Sequence, residues 1–116
     1  MLIIGEDQEV VNKVRFSLAK LNFSAILLDS KEKDISERTT MIKMSSFILF
    51  IEDEENQKNP NAIRDLKILN PTARIFLIQK TITSKLEDIV ARGADYFFPT
   101  SENGLGEMAQ IIKTLR

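Results

Sequence analysis

Ser45-Ser46-Phe47-Ile48-Leu49-Phe50-Ile51-Glu52-Asp53-Glu54-Glu55 joins an unbroken apolar run of strand length to four consecutive acids. A run without polar alternation implies a strand covered on both faces, the kind found in the middle of a parallel sheet. In open parallel sheets ligands collect just beyond the carboxyl ends of the strands. The acids therefore stand where chemistry is expected, and the reading of the chain turns on whether they form a working site.

On the amino side of this strand, Leu2-Ile3-Ile4 reads as a short strand. Gly5-Glu6-Asp7 follows it, with Asp7 able to cap a helix that places Val10, Val11, Val14, Leu18 and Leu21 on one face. Ser24-Ala25-Ile26-Leu27-Leu28-Asp29 makes a second strand, and Asp34 with Glu37 forms a capping box for a short helix through about Met41. On the carboxyl side, Asn59-Pro60 starts a third helix that buries Ala62, Ile63, Leu66 and Leu69 and stops at Asn70-Pro71. Arg74-Ile75-Phe76-Leu77-Ile78-Gln79 is a fourth strand. Ser84 with Glu87 caps a fourth helix, and Gly93 takes the left-handed position that ends it. Asp95-Tyr96-Phe97-Phe98 is a fifth strand, followed by a last helix carrying Leu105, Met108, Ala109, Ile112 and Leu115.

Strand and helix thus alternate five times, a pattern that makes right-handed crossovers and a parallel sheet covered on both faces. The expected class is doubly wound α/β, a (βα)5 flavodoxin-like domain spanning 1-116 with a five-stranded parallel sheet. In the strand order 2-1-3-4-5, Glu6, Asp7, Glu52 and Asp53 converge at one end.

The composition removes several function classes. The 116 residues contain no cysteine and no histidine, which excludes disulfides, thiolate nucleophiles, most hydrolase triads and ordinary zinc sites. A net charge of −1, with Lys and Arg scattered, gives no footprint for nucleic acid. No segment approaches a membrane span, and Met1-Leu2-Ile3-Ile4-Gly5 is too short for a signal peptide, so a cytoplasmic location is expected. Glycine-rich loops for dinucleotide, nucleotide or flavin phosphates are absent after every strand.

Leu2-Ile3-Ile4-Gly5-Glu6-Asp7-Gln8-Glu9-Val10 resembles the opening strand and acidic pair of the receiver domains of bacterial response regulators (CheY-like domains), and Gly93-Ala94-Asp95-Tyr96-Phe97-Phe98 resembles their Gly-Ala-Asp-Asp-Tyr-Leu motif. The order of elements matches over essentially the whole chain. The resemblance implies a phosphoacceptor Asp ending the third strand and two acids after the first strand to hold Mg²⁺. It also implies a hydroxyl residue after the fourth strand and a lysine after the fifth.

At those positions this sequence carries Ile51, the pair Gly5 and Glu6 with Asp7 third, Gln79, and Thr100. An Ile cannot be phosphorylated. The resemblance therefore implies a degenerate receiver, or pseudoreceiver, in a two-component signalling setting, binding a protein partner without catalysis or cofactor. The alternative is a genuine phosphoacceptor domain of a phosphorelay using Glu52 or Asp53, one or two positions further on, with Mg²⁺ held by Glu6, Asp7 and Asp53. Lys80 follows the fourth strand directly, on the same rim, and is expected to neutralise Glu52 or Asp53. For partner binding, the resemblance points to the face of the fourth helix, fifth strand and fifth helix. There Tyr96, Phe97 and Phe98, with charges such as Arg92 and Glu107, favour a homodimer.

Overall fold

The computed structural model describes residues 1–28, 35–52, 61–80 and 93–116. Within them lie strands β1 (Leu2–Ile4), β2 (Ile26–Leu28), β3 (Phe47–Glu52), β4 (Arg74–Gln79) and β5 (Tyr96–Pro99). The helices are α1 (Gln8–Ala19), α2 (Ile35–Met44), α3 (Ala62–Leu69) and α4 (Glu102–Leu115), the last being the fifth helix expected from the sequence. The strands form one parallel sheet in the order β2-β1-β3-β4-β5. The start of the third expected helix at Asn59-Pro60, the Ser84/Glu87 capping box and Asp34 lie outside the described residues.

The apolar run of β3 is continuous because both of its faces are covered. Leu49 and Ile51 join Ile3, Phe76, Ile78 and Phe98 beneath α1 and α4. Ile48 and Phe50 point the other way, into a cluster with Ile42, Ile63, Leu66, Ile75 and Leu77 beneath α2 and α3. Period-two alternation of side chains puts successive residues of one strand into two separate cores.

Local chemistry sets the element ends. Asp7 Oδ1 accepts from the backbone N–H of Glu9 (3.1 Å) and Val10 (3.3 Å), so two orphan donors of α1 are satisfied. Three residues past the end of α1, Asn22 turns the chain at φ 63, a conformation its short polar side chain tolerates. Asn70, the residue after α3, is 8% exposed. Its side-chain amide donates to the carbonyls of Ile42 (2.8 Å), Lys43 (3.3 Å) and Ser45 (2.7 Å), closing the end of α2 from another helix. The second helix accordingly runs to Met44, three residues beyond the Met41 limit read from sequence. Gly93 has φ 94, the left-handed conformation expected of it.

Candidate functional site

The candidate site is the carboxyl end of β1, β3 and β4. Register pairs Ile4 with Phe50, Ile51 with Ile78 and Glu52 with Gln79, so the segment after β1 and the tips of β3 and β4 share one rim.

Ile51 does not open onto this rim: it is 2% exposed and belongs to the core beneath α1 and α4. Gly5 is the reason it fits. A Cβ at position 5 would lie 2.7 Å from Ile51 Cβ and 3.3 Å from its Cδ1, so the backbone after β1 can approach only without a side chain. Hydrocarbon from β3 thus fills the space beside position 5.

The polar residues around it engage one another. Glu52, 9% exposed, accepts a hydrogen bond at Oε2 from Gln79 Nε2, whose residue is 4% exposed. The buried carboxylate is thereby met by a neutral amide donor one strand away. Lys80 Nζ lies 3.8 Å from Asp7 Oδ2, the lysine and aspartate side chains being 61% and 29% exposed. Lys80 therefore reaches Asp7, the acid after β1, and not Glu52. Lys80, the residue after β4, thus meets the N-cap of α1, while Glu52 is turned inward to Gln79. Glu6 is exposed, and Asp53 lies outside the described residues.

Among the described residues the donor set for a divalent cation is correspondingly incomplete. One oxygen of Asp7 caps α1 and the other faces Lys80, and Glu52 is hydrogen-bonded to Gln79. Among the described residues no three His, Cys, Asp or Glu side chains stand together as a metal site. Asp7 and Glu52 do not fit a Mg²⁺ pocket by themselves.

Thr100 donates its backbone N–H to Gln79 O at 3.2 Å, which carries the β4–β5 pairing one residue beyond the strands. Its side chain lines a cavity of about 450 Å³ between α1 and α4, together with Lys13, Phe16, Lys20 and Ser101. On β5 the aromatics alternate. Tyr96 stacks on Phe76 with centroids 4.8 Å apart, and Phe98, 6% exposed, packs in the same core, leaving Phe97 against the opposite cluster. Phe98 thus supports the β5 surface from inside, Tyr96 and Phe97 are half-buried, Glu107 is exposed, and Arg92 lies outside the described residues.

One residue matched by motif but given no role by sequence reasoning proves central to this edge. Asp95 Oδ2 accepts from the backbone N–H of Ile75 (2.8 Å) and from Lys67 Nζ (2.6 Å), and the Asp95 N–H donates to Ile75 O (2.9 Å). The available signal was an acid immediately before an edge strand in the Gly-Ala-Asp string.

No protein-family model matches the sequence, and no curated protein matches it. Solved structures do match. The CheY-like protein TadZ from Pseudomonas aeruginosa is 13% identical with a TM-score of 0.76, the match covering 99% of this chain and 97% of that one. An atypical orphan response regulator, described as having a phosphorylation-independent regulatory mechanism, is 16% identical with a TM-score of 0.68, covering 97% and 91%. A Burkholderia pseudomallei response regulator with a phosphorylated aspartic acid and a calcium ion is 17% identical with a TM-score of 0.63, covering 98% and 70%. With its parallel sheet in the order 2-1-3-4-5, this chain has the receiver, or CheY-like, fold of response regulators.

Proposed function

We propose that this domain is a pseudoreceiver: a cytoplasmic signalling module that binds a protein partner through the receiver shape and is not phosphorylated. The observation that carries this reading is Ile51, which stands at the position matched to the phosphoacceptor, is 2% exposed and packs onto Gly5. A phosphoryl group needs an acceptor oxygen, countercharge and room, and hydrocarbon supplies none of them. The mutual engagement of Glu52 with Gln79 and of Asp7 with Lys80 adds support, since these groups already have partners. The orphan regulator with a phosphorylation-independent mechanism offers a precedent for the fold working this way.

The test is the intact mass after incubation with acetyl phosphate and Mg²⁺. The expected spectrum is unchanged, and an adduct of about 80 Da mapped to Glu52 or Asp53 would instead establish a phosphoacceptor domain.

The partner face in this reading comprises β5 and α4 with the segment before β5, and a second copy is its first candidate. Tyr96, Phe97 and Glu107 offer half-buried aromatic area beside exposed charge on an edge strand. Sedimentation velocity on the wild type, Tyr96→Ala and Glu107→Lys should show self-association weakened in both variants and insensitive to Mg²⁺. Lys13→Glu on α1 should leave it intact, and loss in Lys13→Glu alone would move the recognition surface to α1.

A further inference from the structure

At the opposite, amino end of the sheet lies a cavity of about 610 Å³, bordered by the segments that enter β2, β3 and β4 and by the last turn of α4. Arg74 and Arg116 both line it, with Asn22, Ser24, Ser46 and Thr72, and no Asp or Glu side chain is among its lining residues. The two arginines come from different elements. Arg74 is the first residue of β4, its backbone N–H donating to Ser46 O at 3.0 Å. The Arg116 guanidinium sits 4.9 Å from the centroid of the Phe23 ring. Among the described residues neither guanidinium has an Asp or Glu carboxylate within salt-bridge distance, whereas Lys13, Lys20, Lys67 and Lys80 each do.

We propose that this pocket binds a phosphate group, free or as a monoester. Each guanidinium presents a planar fork of donors. A single carboxylate occupies one fork, whereas a tetrahedral dianion has enough oxygens to engage two and to accept from the Ser24 and Ser46 hydroxyls as well. The site is remote from Ile51 and Glu52 and independent of whether the other end of the sheet is phosphorylated.

Titration of the ¹⁵N-labelled chain with inorganic phosphate and with glycerol 3-phosphate, at constant ionic strength, tests it by amide shifts. Saturable shifts are expected at residues 22–24, 45–47 and 72–74. Arg74→Gln and Arg116→Gln should each weaken binding about tenfold or more, and Arg15→Gln on the exposed side of α1 should leave it unchanged. The stronger of the two ligands tells whether the group is free or esterified. Shifts that do not saturate, that persist equally in Arg74→Gln, or that aspartate reproduces at the same concentration overturn the proposal. A native-like spectrum of each variant before titration separates lost binding from lost folding.

Discussion

Replacing Gly5 by Ala inserts a methyl 2.7 Å from Ile51 Cβ, an atom too close to the backbone to swing aside. Gly5→Ala should therefore cost about 1–3 kcal/mol in urea unfolding, as overpacked cores do. Trimming the partner does not restore the loss, because Ile51→Ala relieves the contacts to Cδ1 and Cγ1 and leaves the one to Cβ. Asp7 separates two effects on one side chain. Asp7→Asn keeps a capping oxygen and drops the charge facing Lys80, and a pair this exposed is worth under about 1 kcal/mol. Asp7→Ala loses the cap too and should cost about 0.5–2 kcal/mol. Equal stabilities of the Asn and Ala variants would show that the cap contributes nothing.

At the level of elements, Asn70→Ala leaves the carbonyls of Ile42, Lys43 and Ser45 without the amide that bridges them. A loss of about 1–3 kcal/mol is expected, with faster hydrogen exchange confined to the end of α2 and the start of β3. Asp95→Ala should loosen β5 from β4 in the same way, read as lost protection of the Ile75 amide that Asp95 now holds. These two side chains also mark what the sequence hid. Buried strands such as β3 and β4 announce themselves by composition, and the helix stop at Asn70-Pro71 is written locally. That the Asn70 side chain should extend a different helix to Met44 depends on a contact 28 residues away in the chain, which no local pattern encodes. The pairing of Glu52 with Gln79 was hidden for the same reason, since it follows from strand register, and so was the pairing of Lys80 with Asp7, because which acid on the rim a lysine meets is decided in three dimensions.

For the molecule as a whole, β3 and β4 tie the two cores into one cooperative unit, each strand sending alternate side chains to both. Leu49→Ala beneath α1 and Ile48→Ala beneath α2 should each cost about 2–5 kcal/mol and lower one shared thermal midpoint. Two separate transitions in either variant would mean that the layers melt independently. The contact between Gly5 and Ile51 has a further meaning when substitutions are considered as a path. Putting Asp at 51 alone sets a carboxylate in a hydrocarbon niche, and enlarging position 5 first crowds the isoleucine, so either opening step is uphill. The pair acts as a ratchet: a charged residue becomes tolerable at 51 only after the packing around it has been rebuilt, and a single substitution does not make the site an ionised one.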